Sequence, residues 1–425
     1  MAYRSVDLIE VHAWGRPVGA AALDPRSGFY AFQYDQSWLR DGVSMAPLAI
    51  PFDGRSRVAS SLPATFFRLP ALLADSLPDR FGNSLIDAFL ATEGVGRDVI
   101  SPLDRLAYLG DRAMGALEFR PPAGPAVDGA SLFEIATLVD EARRAVEGSF
   151  GTPTDATAGV RDLLLIGTSA GGARAKAVIA WNPSTGEIRS GQVDAPAGFE
   201  PWLIKFDGVG TDPDLGTSGD YGRIEYAYHR MATAAGIAMS DCRLLEEGRR
   251  AHFMTRRFDR IGSTKVHTQT LCAMGELDFN AIGVHDYAQF IAIIDRLGLG
   301  PDARAEAFRR AVFNIASSNC DDHTKNQAFL LEPERRWRLA PAYDVTHAYN
   351  PSGRWTHQHL MGIGGVFIGA ERDHLLRFAD RHAVPGAKAI IDDINGAIES
   401  WPDHAQTAGL PGATADRVAC DLHTV

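Results

Sequence analysis

The chain has 425 residues, 45% of them hydrophobic and 22% charged, the balance of an ordinary globular protein and too long for one small core, so two or three domains are expected. A formal net charge of −11 argues against a protein that grips nucleic acid by its own surface, because phosphate binding needs a basic face. Cys242, Cys272, Cys320 and Cys420 are scattered without a CxxC pair, and the opening MAYRSVDLIEVHAW has no signal-peptide core, so a protein of the reducing cytoplasm is expected. No apolar run reaches the ~18 residues that cross a bilayer.

In chain order, Phe29–Tyr34 has the aromatic content of a half-buried strand, and Leu85, Ile86, Phe89 and Leu90 recur at helical spacing after Asn83, a candidate N-cap. The proline-rich Pro121–Pro125 marks a domain boundary, giving a division into 1–125, 126–258 and 259–425. A helix is expected over Leu132–Glu147. The strand-like runs Leu163–Ile166 and Ala177–Trp181 then flank the glycine-rich Gly167–Ala173, which would form the tip of a hairpin. The strand Trp202–Phe206 carries Lys205 among apolar neighbours, and a helix with Ile224, Tyr228, Met231 and Ala235 on one face ends at Gly236. Beyond Asp259 the chain reads as mainly helical, with helices over Phe290–Leu297 and Ala305–Ala316. The fold class is therefore α+β, a strand-rich lobe followed by a helical one.

The segment Ser318–Leu330 holds the chemistry. Asp321 and Asn326 have the five-residue separation of the acid and amide of a kinase catalytic loop, where a carboxylate orients and deprotonates the acceptor hydroxyl and a neutral amide oxygen ligates Mg²⁺. Gln327–Leu331 and Trp337–Leu339 form a hairpin whose ends would bring Asn326 beside Asp344, a second Mg²⁺ ligand. Any single acid here reads equally well as a turn former; the whole set at this spacing favours chemistry. Asp322 lacks an amide partner at that spacing and reads as solvated or supporting. His323 is a contact of phosphate or of the catalytic acid, or a structural histidine, and a zinc site from Asp321, His323 and His347 lacks any HxH or HxxxH pair. The glycine-rich stretch fails as a Walker loop, leaving a phosphate-covering hairpin loop or a plain turn. Lys205 needs an anion, either ATP phosphate with Glu225 as its ion-pair partner, or solvent reached by snorkelling from an edge strand. Ala251–Asp259 is a candidate adenine hinge, with Met254 and Phe258 on the base and Asp259 on the ribose.

Asn319–Asn326, Leu339–Val345, Arg257–Arg260, Gly171–Lys176 and Leu73–Gly82 together resemble the HipA family, the kinase toxins of bacterial toxin–antitoxin modules. The resemblance implies an N-terminal subdomain on a two-lobed protein-kinase-like fold and a Mg·ATP-dependent serine/threonine kinase. It makes Asp321 the catalytic acid, Asn326 and Asp344 the Mg²⁺ ligands, and Lys205 the phosphate-binding lysine. Ser169, Ala170, Gly171, Gly172, His323 and Tyr343 fall to the ATP site, and Ser169 is an inactivating autophosphorylation site. It further implies a HipB-like helix-turn-helix antitoxin, DNA contact only through that partner, and an aminoacyl-tRNA synthetase substrate such as glutamyl-tRNA synthetase, so that translation and growth are inhibited and persistence follows. Arg256 departs from the acidic hinge residue of the family, and the loop is richer in glycine. A kinase of similar fold acting on a small molecule, and an inactive kinase-like co-repressor, are the other two readings.

Overall fold

The computed structural model describes residues 4–125, 132–147, 174–192, 196–209, 219–333 and 335–425. The run Leu163–Ile166 and the glycine-rich Gly167–Ala173, with Ser169, Ala170, Gly171 and Gly172, lie outside the described residues. The chain divides into two compact units: Met1–Gly210 with Met254–Gln269 and Leu331–Arg335, and Thr211–Phe253 with Thr270–Leu330 and Arg336–Val425. The first unit thus joins the N-terminal 125 residues to the strands that follow them. Among the described residues no helix is long and apolar enough to cross a membrane.

The first unit opens with an antiparallel sheet of β1 (Leu8–Ala13), β2 (Arg16–Leu23), β3 (Tyr30–Tyr34), β4 (Arg57–Val58) and β5 (Glu118–Arg120) in the order β4-β3-β2-β1-β5. Tyr30, Phe32 and Tyr34 point inward while Ala31 and Gln33 alternate out, the two-residue period of a half-buried strand. Helix α1 (Arg80–Thr92) begins earlier than the sequence suggests. Asp79, extended after Pro78, accepts the Gly82 amide at 2.6 Å and is the N-cap, whereas Asn83 is helical and donates back to the Pro78 carbonyl at 2.8 Å. Helix α2 (Pro102–Leu109) has a capping box from Ser101 and Asp104. Residues expected to start a helix at Leu132 instead form the short β6 (Leu132–Phe133), and α3 spans Ile135–Glu147.

A second set of antiparallel strands follows: β7 (Lys176–Trp181), β8 (Ile188–Ser190) and β9 (Glu200–Lys205), with β9 and β8 on either side of β7 and β6 beyond β8. Residues 254–269 are fastened to the N-terminal part of the same unit. The Gly115 amide donates to Asp259 at 2.8 Å, the Trp14 indole to the Lys265 carbonyl at 2.7 Å, and Lys265 to Glu118 at 2.8 Å. The buried His267 ring meets the Met45 carbonyl at 3.0 Å.

The second unit contains α4 (Tyr221–Ala234), β10 (Cys242–Glu247) and β11 (Arg250–Arg256), which passes into the first unit at Met254. Gly222 lets α4 lie on β11: a Cβ there would stand 1.8 Å from the Ala251 carbonyl oxygen. Helices α5 (Tyr287–Arg296) and α6 (Pro301–Ala316) follow, then β12 (Ala328–Leu331), whose last residue is counted with the first unit, and β13 (Trp337–Leu339). Phe290, Phe308, Phe313 and Phe329 are fully buried and build the core under the loop between α6 and β12. The chain ends in the helices Arg372–Arg381, Ala387–Glu399, Trp401–Thr407 and Gly412–Ala419.

Candidate active site

The site grows out of the C-terminus of α6. Ser318 has φ +52°, which turns the chain out of the helix, and the Asn319 amide closes onto the Asn314 carbonyl at 2.9 Å. The loop from Asn319 to Gln327 then enters the β12–β13 hairpin. Arg310, buried on α6, holds both ends of that hairpin: it donates to the Gln327 side chain at 3.2 Å and to the Ala340 carbonyl at 2.8 Å, while Glu306 pairs with it at 2.8 Å. Past the hairpin, the Tyr343 hydroxyl donates to the Lys325 carbonyl at 2.5 Å. That bond fastens the 343–344 turn to the loop from Asn319 to Gln327, and Asn326 and Asp344 line one recess together with Asn319 and Asp322. Asp344 adopts φ +57°, a left-handed backbone that costs a side-chain residue about 1–2 kcal/mol, and the two residues before it are fixed by the Tyr343 hydroxyl bond and the Met239–Ala342 bridge.

Asp321 stands beside them. The Trp355 indole donates to its Oδ1 at 2.6 Å, and His323 Nε2 lies 3.8 Å from the same oxygen. Burial pushes the Asp321 carboxyl up from the usual carboxylate range; His323 and the Trp355 hydrogen bond oppose the shift, and the Asp344 and Asp322 charges add to it. The His323 ring packs between Phe279 and Trp355, and the Lys325 ammonium rests over the Phe279 ring at 4.7 Å.

Asp322 is not solvated. It is fully buried and accepts hydrogen bonds from the Tyr287 hydroxyl at 2.9 Å, the Leu360 amide at 2.8 Å and the Met361 amide at 3.4 Å, with His359 Nδ1 at 3.2 Å. Burial would push the His359 imidazole down, but the Asp322 charge overrides it and holds the ring up at about 10, so the two form an ion pair under the loop. His347 donates to no shared centre with His323; it pairs with Asp421 at 2.8 Å, which removes it from the zinc alternative. Among the described residues no group of three or more His, Cys, Asp and Glu side chains could hold a metal.

The donor set instead fits a hard cation that keeps most of its water. Asn326 Nδ2 donates to the Asp321 carbonyl at 2.7 Å, which fixes the amide so that its Oδ1 is the atom left for a cation beside the Asp344 carboxylate. One neutral and one anionic protein oxygen suit Mg²⁺ better than zinc.

The remaining candidates divide between the two units. Lys205, at the end of β9, lies in the first unit, and Glu225, buried on α4, in the second. Directly across from Lys205 on β7 is Lys176, buried and 3.4 Å from Asp79. This second lysine was not singled out by sequence, although it opens an apolar strand as Lys205 closes one, and a buried lysine needs an anion. Met254 is buried and Phe258 partly exposed in the first unit. Asp259 does not fit the role of ribose acceptor. It is completely buried, and Arg257 donates to both of its oxygens at 2.8 Å while Arg260 and the Gly115 amide take the second. Burial would raise its carboxyl, but the two guanidinium groups hold it well below the usual range.

Two family models match the chain: the HipA-like C-terminal domain over residues 168–401 and the HipA N-terminal domain over residues 9–120. Among solved structures, the chain is similar to one in the complex of Shewanella oneidensis MR-1 HipA and HipB with operator DNA, at 17% identity and a TM-score of 0.64, covering 97% of this chain and 94% of that one. The Helicobacter pylori proinflammatory kinase CtkA also matches, at 13% identity and a TM-score of 0.33 over 52% of this chain and 88% of that one, a likeness too slight to carry weight. No curated protein matches in sequence. The first likeness shows the fold, an α+β HipA-like architecture.

Proposed function

This chain belongs to the HipA family of toxin–antitoxin modules, and we propose that it is a Mg·ATP-dependent serine/threonine kinase. The observation that supports this best is that Asn326 and Asp344 line one recess, with Asp321 tied to Asn326 through its backbone carbonyl, the whole fastened by Tyr343 on Lys325 and by Arg310 on both hairpin ends. Asp321 orients the acceptor hydroxyl and takes its proton as the acceptor oxygen bonds to the γ-phosphorus and the bond to the bridging oxygen of ADP breaks. Asn326 Oδ1 and the Asp344 carboxylate are the groups that would hold Mg²⁺, which when bound neutralises phosphate charge. Lys205 and Lys176 offer positive charge from buried positions on adjacent strands. A HipB-like antitoxin is the partner, and operator DNA is reached through it. An aminoacyl-tRNA synthetase is the substrate class, glutamyl-tRNA synthetase the first candidate, and Ser169 the autophosphorylation site.

Incubating the protein with γ-labelled ATP and a cell lysate tests the reading. A discrete labelled polypeptide, lost on addition of a chelator, supports it. Label that appears only on small molecules, or no transfer at all, rejects a protein kinase.

A further inference from the structure

Three consecutive residues of the catalytic loop are bound to one segment, residues 348–361. The Cys320 amide donates to the Ala348 carbonyl at 3.0 Å, Asp321 accepts the Trp355 indole N–H at 2.6 Å, and Asp322 accepts the Leu360 amide at 2.8 Å and meets His359 at 3.2 Å. The outer two attachments are buried and fix the ends of the segment. Between them the turn is closed on itself: the Gly353 amide donates to the Asn350 carbonyl at 2.9 Å, the Ser352 amide to the Asn350 side chain at 3.0 Å, and the His357 ring meets the Gly353 carbonyl at 3.0 Å. Thr356, next to the tryptophan, is buried. Trp355 is therefore presented by a short, self-bonded turn anchored on both sides of the residue that it contacts.

A carboxylate has two oxygens and a rotatable end, and only one oxygen can receive the acceptor proton. We propose that Trp355 is a positioning residue: its indole N–H holds Oδ1 of Asp321, so that Oδ2 is the oxygen presented to the acceptor hydroxyl. The Phe279–His323–Trp355 ring contacts keep the indole in place. This rests on Asp321 being the base, and it makes segment 348–361 the frame that aims it. A freely turning carboxylate spends little time in the reactive geometry, and a displacement of about 1 Å can cost on the order of 10²-fold in rate.

The test removes the N–H and little else. Trp355→Phe keeps an aromatic ring, and replacing Trp355 with 3-benzothienylalanine keeps the full shape of the indole while exchanging N–H for sulfur. For both, kcat and KM for phosphotransfer are measured with Mg·ATP affinity by calorimetry and the unfolding midpoint, with Asp321→Asn assayed in parallel. The expected result is a kcat lower by about 10- to 100-fold with Mg·ATP affinity and midpoint nearly unchanged. Unchanged kcat in both variants while Asp321→Asn is inactive overturns the role of Trp355. So does a loss of kcat that only tracks a loss of Mg·ATP affinity or of folding. Full activity of Asp321→Asn instead removes the premise, the assignment of Asp321.

Discussion

Replacing Asp322 with alanine should damage the second unit more than any change at the surface of the site. The carboxylate is fully buried and receives the Tyr287 hydroxyl, the Leu360 and Met361 amides and the His359 imidazolium. Truncation leaves at least two neutral buried donors without an acceptor, at about 1–3 kcal/mol each, and strands a buried cation, for which breaking an ion pair costs about 3–5 kcal/mol. These costs overlap, because His359 can lose its proton and Tyr287 keeps its bond from Asn314 at 2.8 Å, so a net loss of about 4–5 kcal/mol is expected. That is a large share of the ~5–15 kcal/mol that holds a typical domain. Urea denaturation followed by tryptophan fluorescence measures it. The pH dependence gives an independent reading. His359 is held up at about 10 in the folded chain and titrates near 6.5 when unfolded, so the folded state binds the extra proton between those values. The contribution is fully present below pH ~6.5 and is lost as pH rises toward 10; in Asp322→Asn this alkaline slope should flatten. A loss under about 1 kcal/mol in Asp322→Ala, with the alkaline slope intact, would refute the network account.

Asp344→Ala should weaken Mg·ATP binding, since Asn326 alone offers a cation one neutral oxygen; calorimetry showing parental affinity and metal dependence would remove the ligand role. Acid should destabilise the first unit from pH ~6.5 downward, because burial pushes the His267 imidazole down to about 4 and the unfolded chain binds the extra proton between those values. His267→Gln should flatten that part of the acid profile, leaving the loss below pH ~4, where Asp259 in the unfolded chain takes up a proton that the arginine-held carboxylate of the folded chain refuses. Incubation with Mg·ATP should place stoichiometric phosphate on Ser169 with falling activity, as intact mass and a peptide map would record, since about −1.5 to −2 charges beside the nucleotide disfavour its binding.

The local parts of the site were legible because they rest on short-range chemistry. The Asp321–Asn326 spacing and the hairpin between Asn326 and Asp344 follow from residue type and a two-residue period, and the structure places Asn326 and Asp344 on one recess. What holds them there was not legible: the Tyr343 hydroxyl on the Lys325 carbonyl and Arg310 on Ala340 join residues 18 and 30 positions apart. Of the two readings of Asp322, solvated or supporting, the second holds, but its donors at Leu360 and Met361 lie 38 and 39 positions away and were not legible. The Asp259 error was avoidable, as Arg257 and Arg260 flank it in sequence and an acid between arginines has partners before any ligand arrives. Asn83 lost the cap to Asp79 because both residue types cap equally well, and only the bond to the Gly82 amide decides between them.

The central claim is that Asp321 is the base of a phosphotransfer reaction. The most direct measurement compares transfer from γ-labelled ATP to a lysate polypeptide by the parental chain and by Asp321→Asn, with Mg·ATP affinity measured on the same preparations. The account predicts a rate lower by about 10²–10⁴-fold at nearly unchanged nucleotide affinity. Near-parental transfer by Asp321→Asn would contradict it.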